Sequence, residues 1–262
     1  MAKGLNRVLL LGTITQTPEL RYTPGGLAVL EATVAGQDKV TTADGSEREF
    51  PWYHRVKLFG RYAELFAEQL KAGVPVFVDG RLDYRSWESP EGQRRSALDV
   101  RVDRIEVLEP KEGRTVADAR GQERMTDAVN QVVLIGNLTR DAELRYTPQG
   151  TAVVRLGLAV NETFSSRGQE QEKTHFVDVT AWRELAEWAG ELKKGDPVLV
   201  FGRLVNESWT AQDGSRRFAT RVEAQRIEKL ARMTEAAAAP PPGGVDLEEG
   251  LEDFPPEEDL PF

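Results

Sequence analysis

Trp52-Tyr53-His54-Arg55-Val56-Lys57-Leu58-Phe59 reads as a β-strand. Side chains of a strand point alternately to its two faces, so Trp52, His54, Val56 and Leu58 share one face and Tyr53, Arg55, Lys57 and Phe59 the other. The first set suits a core. The second interleaves two aromatic rings with two cations. Immediately after it, from about Arg61 to Ala72, residues Tyr62, Leu65, Phe66, Gln69 and Leu70 form a mostly apolar stripe at helical spacing, and Gly73 stands where a C-cap would.

Outward from this strand–helix unit, four more strands are expected. Arg7–Ile14 precedes a hairpin turn at Pro24-Gly25-Gly26, and Ala28, Leu30, Ala32 and Val34 then alternate with Leu27, Val29, Glu31 and Thr33. Val76–Trp87 and Leu98–Leu108 follow the helix. Five strands with one helix between the third and fourth predict an OB-fold, a five-stranded barrel. A small β-sandwich is the alternative, and the lone helix argues against it. On the fourth strand Arg81, Arg85 and Trp87 share one parity, while Val76, Val78, Leu82 and Tyr84 share the other.

The chain then repeats itself. Glu19-Leu-Arg-Tyr-Thr-Pro24 recurs unchanged as Glu143-Leu-Arg-Tyr-Thr-Pro148, Gly73–Leu82 matches Gly195–Leu204, and Ser86-Trp87 matches Ser208-Trp209. The offset drifts from 124 through 123 to 122, which marks a duplicated domain rather than a solenoid. The expected organisation is mostly β: a first OB domain over 1–108, a polar linker over 109–127, a second OB domain over 128–230, and a disordered acidic tail over 231–262. On the second copy's third strand the equivalent face carries Phe176, Asp178, Thr180 and Trp182, and on its fourth Arg203 and Trp209. Aromatics persist there better than charges.

A net charge of −9 seems wrong for a chain with cationic, aromatic faces. Its distribution resolves this. Of 43 acidic residues nine lie after Met233, where there is no Lys or Arg, so the remaining 34 acids balance the 34 bases of the body. There are no cysteines and two histidines, which leaves no basis for a disulfide or a zinc site. His54 falls on the core side and reads as structural. Trp188, at helical spacing with Leu185 and Leu192, reads as core. No phosphate-cradling loop or acid/base constellation stands out, so neither enzyme chemistry nor a cofactor is expected. No apolar run approaches a membrane span. Rings on which bases stack, beside cations for phosphates, point to a binder of single-stranded nucleic acid. A protein–protein adaptor and an RNA chaperone are the competing readings.

Gly136–Pro148, His54–Gly60 and the closing Asp259-Leu260-Pro261-Phe262 resemble the bacterial single-stranded DNA-binding proteins, in the variant with two OB domains per chain. The resemblance implies sequence-independent binding and protection of single-stranded DNA in replication, recombination and repair. It implies a homodimer presenting four OB folds; the lack of cysteines and of a signal-peptide h-region in the N-terminal residues points to a cytoplasmic, nucleoid-associated protein. The family's stacking aromatics fall on Tyr53, Phe59 and Trp87, and on Phe164, Phe176, Trp182 and Trp209; its cations fall on Arg55, Arg61, Lys71 and Arg85. The tip Asp259, Leu260, Pro261 and Phe262 would dock on replication and repair proteins, the ring in an apolar pocket and the acids on basic residues.

Overall fold

The structure is a computed structural model that describes residues 4–41, 46–88, 92, 94–110, 113–166, 169–210 and 216–231. The tail tip therefore lies outside the described residues. The first copy contains β1 (Leu5–Ile14), β2 (Leu20–Tyr22), β3 (Ala28–Thr41), β4 (Glu47–Phe59), α1 (Arg61–Phe66), β5 (Pro75–Glu88) and β6 (Arg94–Val107). Between the copies stand β7 (Thr115–Ala117) and β8 (Glu123–Met125). The second copy contains β9 (Val129–Leu138), β10 (Glu143–Tyr146), β11 (Ala152–Ser166), β12 (Gln169–Trp182), α2 (Arg183–Ala189), β13 (Pro197–Thr210) and β14 (Arg216–Lys229).

Each copy closes into a barrel. In the first, β1 pairs with β5, β5 with β6, β6 with β4 in parallel, β4 with β3, and β3 returns to β1 through Thr13↔Ala35 and Ile14↔Val34. The second repeats the circuit, with β12 and β14 as its parallel pair. Closure brings backbones together where only glycine fits. A Cβ on Gly12 would stand 2.6 Å from the Ala35 carbonyl oxygen, and one on Gly136 2.5 Å from that of Ala159. The alternation expected on β3 and β4 is observed: Ala28, Leu30, Ala32, Val34, Trp52, His54, Val56 and Leu58 are all buried. The repeated hexapeptide enters the first hairpin as the short strands β2 and β10, paired to β3 and β11.

Three expectations need correction. The first helix ends at Phe66, not near Ala72; Leu70 turns into the core, and Gly73, at φ 81°, donates its N–H to the Ile14 carbonyl instead of capping a helix. Leu65, placed in the apolar stripe by spacing, is 59% exposed, because Ala63 is the residue α1 buries. The segment between the copies, read as polar and aperiodic, holds a hairpin of β7 and β8. Met125 buries its side chain, its strand pairs with β3 at Gly36, and Thr13 Oγ1 donates to the Glu123 carbonyl at 2.7 Å.

The barrels join edge to edge through antiparallel β1 and β9. Val8 pairs with Val132, its own repeat equivalent, and Leu5↔Ile135 mirrors Leu11↔Val129. A local two-fold axis therefore passes between Val8 and Val132. Two ion pairs obey it: Arg81 with Glu162, and Arg203 with Asp38.

Candidate nucleic-acid interface

On β4 the outer face shows Tyr53, Arg55 and Phe59, with Arg55 exposed and both rings half-buried. Arg101, on neighbouring β6, places its guanidinium 5.3 Å from the centre of the Phe59 ring. Lys57 shares this parity but is 8% exposed. Its ammonium lies 2.8 Å from Asp99 and 3.2 Å from Glu31. Burial works to raise the Asp99 pKa, but hydrogen bonds from Lys57 and Arg85 outweigh it and hold the carboxyl below the usual range. On β12 the matching face shows Phe176 and Trp182, 50% and 41% exposed, alternating with buried Val177, Val179 and Ala181. Thr180, equivalent to Lys57, is buried too. The parallel neighbour covers this position in both barrels: β6 beside Lys57 and β14 beside Thr180.

A groove of about 680 Å³ lies between the two faces. Tyr53, Arg55 and Tyr84 line it from the first barrel, Phe176, Asp178 and Arg221 from the second. Tyr84 meets Phe176 edge-on, ring centres 5.8 Å apart at 82°. Charges invert across the axis. Arg55 has Asp178 as its equivalent, and the Arg85–Asp99 pair becomes Glu207–Arg221, at 3.1 Å. The arrangement offers rings for stacking with sparse cations beside them, the chemistry that holds single-stranded nucleic acid without reading its sequence.

Residues 5–108 and again 129–230 match the Single-strand binding protein family. The chain belongs to that family. It is 60% identical over 267 residues to the single-stranded DNA-binding protein of Thermus aquaticus, and 49% identical over 302 residues to that of Deinococcus radiodurans, with both chains of each comparison fully covered. The crystal structure of the wild-type Thermus aquaticus protein superposes with a TM-score of 0.71 at 53% identity, covering 89% of this chain and 96% of that one. The expected resemblance and the OB-fold class are thus both met.

Within this single-strand binding framework the remaining expected residues fall into three groups. Trp87 is 46% exposed, and Arg85 is exposed although paired with Asp99. Arg61 and Lys71 are exposed, and among the described residues no carboxylate pairs with either. Arg81 and Arg203 are instead engaged at the seam. Arg81 contacts Asp103 at 3.0 Å as well as Glu162, and Arg203 lies 2.7 Å from Glu223 and 2.9 Å from Asp38, its side chain 18% exposed. Phe164 stands on β11 opposite Gln171 and Trp209 on β13 opposite Arg217, but their side chains lie outside the described residues.

Trp188 is not core: it is 45% exposed, because α2 turns Ala186 and Ala189 toward the barrel and leaves the bulky ring outside. His54 is structural as expected. It is 2% exposed and stacked 5.2 Å from Trp52, and burial pushes its pKa down to about 3. Tyr84, Arg101 and Arg120 were missed. Tyr84 carries core parity but sits where its strand leaves the barrel, Arg101 shows itself only once β6 is paired with β4, and Arg120 belongs to the segment read as linker.

Proposed function

We propose that this chain binds and protects single-stranded DNA without regard to sequence, by stacking bases on Tyr53, Phe59, Trp87, Phe164, Phe176, Trp182 and Trp209 and by phosphate contacts from Arg55, Arg61, Lys71 and Arg85. The observation that carries the reading is β12. Its two aromatic rings are half-exposed on a strand whose alternate residues Val177, Val179 and Ala181 are buried, so both rings face away from the core. The names carried by the relatives support the same ligand. Binding alone shifts the duplex equilibrium by mass action, so no reaction is required.

The same reading extends to the assembly and the tail. Two barrels per chain make a homodimer with four OB folds, acting in the cytoplasm on DNA exposed in replication, recombination and repair. Asp259, Leu260, Pro261 and Phe262 recruit the proteins of those processes. Titrating intrinsic tryptophan fluorescence with oligo-dT tests the core of the reading. Quenching that saturates is expected; no quenching, or a preference for duplex, overturns it. Sedimentation with and without the oligonucleotide tests the dimer.

A further inference from the structure

The hairpin of β7 and β8 does more than connect the barrels. Its turn is closed by hydrogen bonds: Asp118 accepts at Oδ1 from the N–H groups of Arg120 (2.8 Å) and Gln122 (2.9 Å), and Gly121 takes φ 74° to complete the bend. Its base is anchored by Met125 and by Thr13. Its tip is anchored as well, because Tyr53 Oη donates to Asp118 Oδ2 at 2.8 Å. Tyr53 is a residue of the proposed stacking face. The same turn extends Arg120 into the groove between the barrels, where it joins Tyr53, Arg55 and Phe176. Arg120 is exposed, and among the described residues no carboxylate pairs with its guanidinium. It therefore differs from Lys57, Arg81 and Arg203, each of which is engaged by acids. Across the axis Asp178 stands where Arg55 stands in the first barrel, and Arg221, the cation that half brings to the groove, is paired with Glu207, so Arg120 adds a groove cation that no carboxylate among the described residues holds.

We propose that the hairpin is part of the binding surface: Arg120 contacts a phosphate of single-stranded DNA passing through the groove between the two barrels, and the Tyr53–Asp118 hydrogen bond fixes the turn over that passage. This rests on the DNA-binding reading above. A turn ordered in advance loses little conformational freedom on binding, so one cation held there counts for more than one on a loose linker.

The test uses the full-length chain and oligo-dT, with affinity measured across a series of salt concentrations. Arg120→Ala should weaken binding about three- to tenfold at low salt and reduce the slope of log K against log salt by about 0.7, the value of one phosphate contact on a single strand. Tyr53→Phe, which keeps the ring and removes the tether, should weaken binding in the same direction. Arg114→Ala, at the base of the hairpin beside Asp127, should leave both affinity and slope unchanged. Wild type that binds while Arg120→Ala matches it in affinity and slope overturns the proposal. So does an equal loss in Arg114→Ala, which would mark a general charge effect. Wild type that fails to bind overturns the DNA-binding reading itself.

Discussion

Arg203 reaches from the second barrel to Asp38 of the first, 2.9 Å apart, and Asp38 in turn accepts a hydrogen bond from the Trp52 indole at 3.2 Å. This places an ion pair, flanked by a core tryptophan, on the seam. Removing one partner of a largely buried pair strands the other charge. Arg203→Ala should therefore cost about 2–3 kcal/mol in denaturant unfolding.

Phe176 and Trp182 are half-exposed and lie outside the barrel core, Phe176 meeting the Tyr84 ring edge-on. Replacing either with Ala should weaken oligo-dT binding by about 1–3 kcal/mol while leaving the melting temperature nearly unchanged, since stacking on one base is worth about that much. Parallel titration and thermal melting separate the two effects.

Lys57 and Arg55 share a face but should behave differently. Lys57→Ala leaves buried Asp99 with only one of its two cations, Arg85, so the loss should appear in stability, about 2 kcal/mol. The salt dependence of binding should hardly move. Arg55→Ala should do the reverse: stability unchanged, and a binding slope shallower by about 0.7.

His54 links stability to pH. Its pKa is pushed down to about 3 by burial, below the ordinary value near 6.5, so the unfolded chain takes up a proton that the folded chain refuses. Its contribution is complete above about pH 6.5 and falls as pH drops toward 3, by about 1.4 kcal/mol per pH unit. Burial lowers the pKa of His175 too, so it acts in the same direction. Unfolding measured at several values between pH 7 and 4 should show this fall, and His54→Gln should flatten it.

Arg183 opens α2 with φ 57°, a left-handed conformation that costs a side-chain-bearing residue about 1–2 kcal/mol. The first repeat has Gly60, at φ 60°, in the corresponding place. Arg183→Gly should raise stability by about 0.5–1 kcal/mol, after allowing for the freer unfolded glycine.

The barrels were legible because two-residue alternation is a local signal, and Ala28-to-Val34 and Trp52-to-Leu58 carry it without interruption. Duplication then made each copy a check on the other. The hairpin was not legible, since its strands are three residues long and are held by distant groups: Gly36, Thr13 and Tyr53. Parity placed Lys57 on the correct face but could not show that β6 covers it there. Spacing grouped Trp188 with Leu185 and Leu192, although the side of α2 that meets the barrel is set by its alanines. In each case the deciding contact comes from residues far along the chain.

The inversion of charge across the groove has a further meaning. In a pair of identical subunits related by a two-fold axis, any substitution appears on both sides at once, so an arginine at position 55 would face its own copy. Joining both halves in one polypeptide lifts that constraint. Arg55 can stand across from Asp178, and Arg85–Asp99 from Glu207–Arg221, because each half accumulates changes independently. The molecule keeps the architecture of a symmetric pair while giving the groove two chemically different ends.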